Sequence, residues 1–228
     1  MTVRDGTDGD RARAARACLR LRQTTRAVLA DPGAAPAAAV RRCAWAEGTS
    51  ALMTEYHDRE WGRPAHDDGY LFEMLVLEGA QAGLAWSTVL NKRENYRRLL
   101  DGFDAGAVAE YGPEKLAALL GDAGIVRHRL KVASLPRNAR AFRAVAAEFG
   151  SFDAYLWSWV DGRPVVRHRA RGALPPARTE LSDRLAKDLK KRGFSFVGTT
   201  ITYAFLQATG VVDDHAGDCF VVADAVAD

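Results

Sequence analysis

The chain, 228 residues long, predicts an all-α fold. Three features carry that expectation. The stretch from Tyr70 to Trp86, YLFEMLVLEGAQAGLAW, is too uniformly apolar for a half-exposed helix and predicts a buried central one. Proline and glycine punctuate the chain at helix boundaries, as at Pro113, Gly121, Gly193 and Gly210. No stretch alternates as a strand ladder requires, and no internal repeat is present.

Taken in order, residues 1–40 read as a flexible Arg/Ala-rich N-terminal extension. MTVRDGTDGD is polar, the following segment is Arg-rich, and DPGAAPAAA is of low complexity. A helix over Arg11 to Leu29 would have only Leu19, Leu21 and Val28 to hold it. Residues 41–228 read as the folded domain. CAWAEGTSALMTEYHDREWG crowds Trp45, Tyr56 and Trp61 against Cys43 and His57, and reads as irregular chain. Asp67 or Asp68 caps the central helix. Ser87 to Leu100 predicts a second helix, and Pro113 opens a short one ending at Gly121. The next runs through HRLKVASLPRNARAFRAVAAEF, interrupted or kinked at Pro136. FDAYLWSWV is a short apolar helix, followed by a loop through DGRPVV and ALPPAR. Ser182 caps SDRLAKDLKKR, which stops at Gly193, and Thr199 to Ala208 forms the last long helix.

The net charge of +3 is mild, but the cations are grouped. Arg127, Arg129, Lys131, Arg137, Arg140 and Arg143 form one block. Arg163, Arg167, Arg169, Arg171 and Arg178 form another, and Lys187, Lys190, Lys191 and Arg192 a third. Such blocks suit a polyanion and equally a solvated helix face. Three cysteines, Cys18, Cys43 and Cys219, are too few and odd in number for a disulfide framework. No apolar run reaches membrane-span length and none resembles a signal peptide, so a cytoplasmic protein is expected.

Three constellations carry chemistry. His215 and Cys219 in DDHAGDC have one-turn spacing. With Cys43 and His57 they would close a tetrahedral Cys2His2 zinc site lacking an open position, hence structural; buried thiols and surface histidines are the alternative. In KKRGFSFVGTTITYAFLQATG a helix ends at Gly193, a hairpin passes through Phe194 to Val197, and a helix starts at Gly198. Exposed amides there, after Lys190, Lys191 and Arg192, make an anion site. This is the pattern of a helix-hairpin-helix over about 182–208 gripping duplex backbone, or else an ordinary glycine-punctuated connection. Last, Glu78 lies inside the apolar run, where an ionised carboxylate costs several kcal/mol unless paired or opened onto a cleft. With Tyr56, Trp45 and Trp86 it would suit an extruded, electron-poor nucleobase; the aromatics could equally be core.

The blocks CAW, YHDREWG, LFEMLVLEGAQAGLAW, NKRENYR, GIVRHRLK, NARA, LKKRGFSFVGTTITYAFLQATG and DDHAGDC, in this order, resemble the bacterial DNA-3-methyladenine glycosylase I family over about Cys43 to Cys219. The resemblance implies a helix-hairpin-helix DNA glycosylase fold with a structural zinc joining the two ends of the domain. The zinc ligands fall on Cys43, His57, His215 and Cys219, the base-recognising acid on Glu78, and the stacking aromatics on Tyr56, Trp45 and Trp86. DNA contacts are expected from Gly193, Phe194, Val197, Gly198 and Lys191. The implied activity is monofunctional hydrolysis of the N-glycosidic bond of 3-methyladenine and 3-methylguanine in alkylated double-stranded DNA, by a monomer acting at the nucleoid. No lysine sits where a Schiff base would form. Departures are Ala85 for a common Ser, Ala80 for a frequent Gln, Asp213 for a common Asn, Pro136 and the N-terminal extension. Asp213 is the candidate for activating water. A DNA-damage sensor without cutting activity, and a glycosylase for bulky adducts admitted by Ala80 and Ala85, are the other functional classes.

Overall fold

The computed structural model describes residues 40–222, which from Arg41 onward belong to one compact unit. The extension read over residues 1–40 lies, apart from Val40, outside the described residues. After a 3-10 turn (Ala44–Ala46) come α1 (Ala51–Arg59), α2 (Asp68–Gln81), α3 (Trp86–Leu90), α4 (Arg93–Leu99), α5 (Ala105–Ala109), α6 (Pro113–Gly121), α7 (Arg129–Phe149) and α8 (Phe152–Ser158). Strand β1 (Val165–Val166), α9 (Glu180–Lys191), α10 (Thr199–Ala208) and β2 (Val212–Asp213) complete the order. The protein is mostly helical, and no described helix is long and apolar enough to cross a membrane.

Helix α2 is the axis of the core. Asp67 caps it by accepting from the Tyr70 amide, and every residue from Leu71 to Ala80 is buried. Helices α7, α8 and α10 pack around it. Phe72, Phe142 and Phe152 fill the space between α2, α7 and α8, with Phe142 and Phe152 stacked at 4.2 Å. Gly210 must be glycine: its φ is +68°, and a Cβ there would lie 2.1 Å from the Arg63 carbonyl carbon.

Five local expectations are corrected. The aromatic segment after Cys43 is not irregular throughout, because Ser50 accepts from Met53 N and starts α1; only Tyr56 and His57 of that helix are buried, too thin an apolar stripe to read. The helix expected over Ser87–Leu100 divides into α3 and α4 at Asn91 and Lys92. Helix α7 runs uninterrupted through Pro136, which is buried, and packing outweighs the missing backbone donor. The cap of α9 is Thr179 rather than Ser182, which closes a reciprocal capping box from the third helical position. Finally, β1 and β2 pair in parallel, Val165 with Val212 and Val166 with Asp213, and an isolated bridge joins Arg169 to Ala216.

Candidate active site and metal centre

Two carboxylates are buried in α2, and their surroundings differ. Glu73 is neutralised: it accepts from Arg93 Nε at 2.5 Å and lies 2.9 Å from Arg97 Nη2. Arg93 also donates to Glu60 at 2.7 Å. Five residues on, about 140° further round the helix, Glu78 is only 3% exposed and its Oε2 has no hydrogen-bond partner. Burial alone pushes its carboxyl up to about 8. Trp86 Nε1 is likewise buried and unpartnered.

The sequence-predicted residues fall into three groups. Tyr56 and Trp86 come together, their ring centres 5.1 Å apart and tilted by 43°. Tyr56 also lies close to Glu78: burial, and then the Glu78 charge, push its phenol well above the usual range. Trp45 is not part of that group. Its ring packs edge-on against His57 at 5.2 Å and Trp61 at 5.1 Å instead; none of Trp45, Tyr56 and Trp86 lines the cavity beside Glu78.

That cavity has a volume of about 330 Å³. On one side are Glu78 and the segment that ends α2, Gln81 to Leu84; on the other are Thr200, Ile201 and Ala204 of α10. Gly83 turns the segment with φ +78°, leaving Leu84 40% exposed at the rim. Leu84 was missed by sequence reasoning, because an exposed leucine at a turn is indistinguishable from a core one until the turn is built. Ala80 and Ala85 do not line this cavity. Ala85 is instead the exposed N-cap of α3, with no side-chain oxygen to use.

The turn between α9 and α10 leads into the helix that forms the other wall of the cavity. Gly193 takes φ +99° and Phe196 φ +58°. The side chains of Phe194 and Val197 are buried, so neither is free to reach DNA as expected. The amides of Gly193, Phe194 and Ser195 are bonded to Lys190 O, Leu189 O and Asn138 Oδ1. The first helical bond of α10 runs from Thr202 N to Gly198 O. The amides of Thr199, Thr200 and Ile201 therefore have no intrahelical acceptor and carry the positive end of the helix dipole. Lys191 is exposed in the last turn of α9.

Cys43, His57, His215 and Cys219 form the third group. All four are buried, and their ligand atoms lie within 4.8 Å of one another. A tetrahedral zinc with 2.0–2.3 Å bonds has ligand–ligand edges of about 3.3–3.8 Å, so small adjustments suffice. Two further observations fit a cation. His57 Nδ1 donates to Asp58 at 2.8 Å and His215 Nδ1 to Asp213 at 2.7 Å, which turns both Nε2 lone pairs inward. His215 Nε2 is buried without a partner, and burial pushes the Cys43 thiol up to about 12. A dry pair of thiols and imidazoles gains most from a divalent ion. Gly62 admits the His215 ring, since a Cβ there would lie 2.5 Å from Cε1.

This geometry alters two expectations. Asp213 is not placed to activate water. Burial raises it, but hydrogen bonds with the His215 side chain and amide and with His168 hold it at about 2, and both oxygens are engaged. Part of the second basic block serves the fold rather than a polyanion. Arg169 donates to Asp214 at 2.5 Å, and Arg171 to Glu47 at 2.7 Å and Asp218 at 3.1 Å.

Comparison with known proteins points the same way. The methyladenine glycosylase family model matches residues 45–222. A DNA-3-methyladenine glycosylase 1 from Escherichia coli is 47% identical over 180 residues, covering 79% of this chain and 96% of that protein. A crystal structure of 3-methyladenine DNA glycosylase I superposes with a TM-score of 0.76 at 49% identity, over 79% of this chain and 98% of that one. A Staphylococcus aureus structure described as the basis of 3-methyladenine recognition superposes with a TM-score of 0.75 at 34% identity, over 78% and 94%. The chain belongs to the methyladenine glycosylase family.

Proposed function

We propose that residues 41–228 form a monofunctional glycosylase domain that hydrolyses the N-glycosidic bond of 3-methyladenine, and of 3-methylguanine, in alkylated duplex DNA. The observation that carries this reading is Glu78, buried and uncompensated, opening onto a cavity whose other wall is the first turn of α10. The relatives are named for 3-methyladenine, and a cationic purine is what an unpaired buried carboxylate favours. The α9–turn–α10 segment acts as a helix-hairpin-helix. The free amides of α10, the Gly193–Gly198 turn and Lys191 hold phosphates without reading sequence. Leu84, exposed on its turn, fills the space left in the stack as the lesion swings into the cavity.

Tyr56 and Trp86, the aromatic pair on the Glu78 side but outside the cavity wall, shift to enclose the ring, and the Trp86 Nε1 donor and the Glu78 acceptor find partners on its edge. An empty Glu78 holds a proton near neutrality. A base alkylated at N3 is cationic, so its arrival favours the carboxylate and releases that proton. The C1′–N9 bond then breaks with its electron pair leaving on the base, which departs neutral and needs no general acid. Water adds to C1′ and loses a proton to solvent. Unmodified adenine brings no charge and leaves as a poorer group, so both pocket and chemistry select the lesion. Cys43, His57, His215 and Cys219 would hold a structural zinc, which supplies cross-linking of the two ends of the domain and takes no part in the reaction.

The test is release of free base from methylated duplex DNA by the wild type and by Glu78→Gln, with 3-methyladenine resolved from 7-methylguanine. Rapid 3-methyladenine release by the wild type, reduced about 100-fold or more in the variant, is expected. Tight DNA binding with no base released would refute the glycosylase reading and favour a damage sensor.

A further inference from the structure

No residue of helix α7 lines the cavity beside Glu78, yet one stripe of its surface holds both the segment after α2 that borders the cavity and the turn that leads into α10. At its N-terminal end, Lys131 Nζ donates to Ala80 O at 2.8 Å and Ala82 O at 2.7 Å. These are carbonyls at the end of α2. The last carbonyls of a helix have no intrahelical donor, and the lysine supplies one to two of them, with its charge at the negative end of the helix dipole. Two turns along, Asn138 is buried and grips the other segment from both sides. Its Nδ2 donates to Ser195 O at 3.0 Å and its Oδ1 accepts from Ser195 N at 2.8 Å. Beside it Arg137 Nε donates to Gly193 O at 2.6 Å. Lys131 and Asn138 are seven positions apart, on one face and separated by about 10 Å.

We propose that α7 is a strut that sets the distance between the Ala82–Leu84 turn and the Gly193–Gly198 turn, with Lys131 and Asn138 as positioning residues for capture of the lesion. The inference rests on the glycosylase reading above. Base release needs the turn carrying Leu84 and the turn carrying the phosphate-binding amides to engage one bent duplex together. Each turn is a short connection with a residue at positive φ, Gly83 in one and Phe196 in the other, and α7 is hydrogen-bonded to both. Lys131 acts by position rather than by charge on Glu78, whose carboxyl is governed by burial alone.

The strut makes a prediction that general damage to the fold would not. Binding of free 3-methyladenine uses only the pocket, whereas release from duplex needs both turns in register. In the full-length protein, Lys131→Met and Asn138→Ala should each slow single-turnover release from methylated duplex by about 10- to 100-fold, the loss attending about 1 Å of misplacement. Affinity for free 3-methyladenine should stay within about twofold. Lys131→Arg should recover most of the rate. The double variant should be little slower than the slower single one, since losing either end of the strut already loses the spacing. Free-base affinity falling in parallel with release, strictly multiplicative losses, or release unchanged in both variants would each overturn the proposal while leaving the glycosylase reading intact. A wild type that releases no base would refute both.

Discussion

Replacing Glu78 by glutamine should make the protein more stable, and increasingly so as the pH rises. The folded chain holds this carboxyl at about 8 against an ordinary 4.5, because it is buried. A group raised in this way binds its proton more tightly folded than unfolded, so raising the pH from 4.5 towards 8 favours the unfolded chain at about 1.4 kcal/mol per pH unit. Above 8 both states are ionised and the penalty is constant, at about 5 kcal/mol. Glutamine has no such term. The stability difference between Glu78→Gln and wild type should therefore grow by about 4 kcal/mol between pH 5 and pH 9, or about 10 °C in Tm for a domain of this size. Urea denaturation of both proteins across that range measures it, and pH effects common to both cancel in the difference. Any fixed cost of fitting an amide is also removed, because only the trend with pH is read. Parallel curves would show that Glu78 is ionised at no cost in the folded protein, and the account of an uncompensated acid awaiting a cation would be lost.

Three other substitutions test separate parts of the structure. Ala85→Ser should stabilise the protein by about 1 kcal/mol, since Ala85 has N-cap geometry for α3 without a cap oxygen; lesion range, read from a panel of methylated and bulky adducts, should not change. Gly62→Ala should push the His215 ring out of place and lower zinc content after exposure to a chelator, and full retention would show that the cluster tolerates the shift. Glu73→Gln should cost about 3 kcal/mol, because it strips a buried guanidinium of one of two partners, and a loss under 1 kcal/mol in denaturant would show that Glu60 suffices for Arg93.

The central helix was legible because its signal is local. An apolar run with an Asp before it and glycines within it allows little else, and the same holds for Pro113 opening α6. What escaped was mostly set by distant partners. Two-residue strands have no periodicity, and Val165 and Val166 become a strand only because Val212 is brought alongside. Glu73 and Glu78 look alike in sequence; Arg93 and Arg97, on another helix, make one an ion pair and leave the other unpaired. The Cys43, His57, His215 and Cys219 set was readable as residue types, and the structure adds Asp58 and Asp213 behind the two histidines. Trp45 was grouped with Tyr56 because both sit near Cys43, but α1 carries Tyr56 towards Glu78 and Trp45 stays beside His57.

The four-residue cluster also bears on how the protein is made. Its members His57 and Cys219 meet across 162 residues of chain, and Cys43 accepts from the amide of Ala216, next to His215, across 173. During synthesis, Cys43 and His57 emerge early and must wait for nearly the whole domain before their partners leave the ribosome. Closing so long a loop costs about 5 kcal/mol of chain entropy, which falls due only after the α2 core has had time to assemble. Metal capture at this cluster would thus be a finishing step: a nascent chain stalled before His215 would offer two of the four candidate ligands, and a truncated product would lack the clasp.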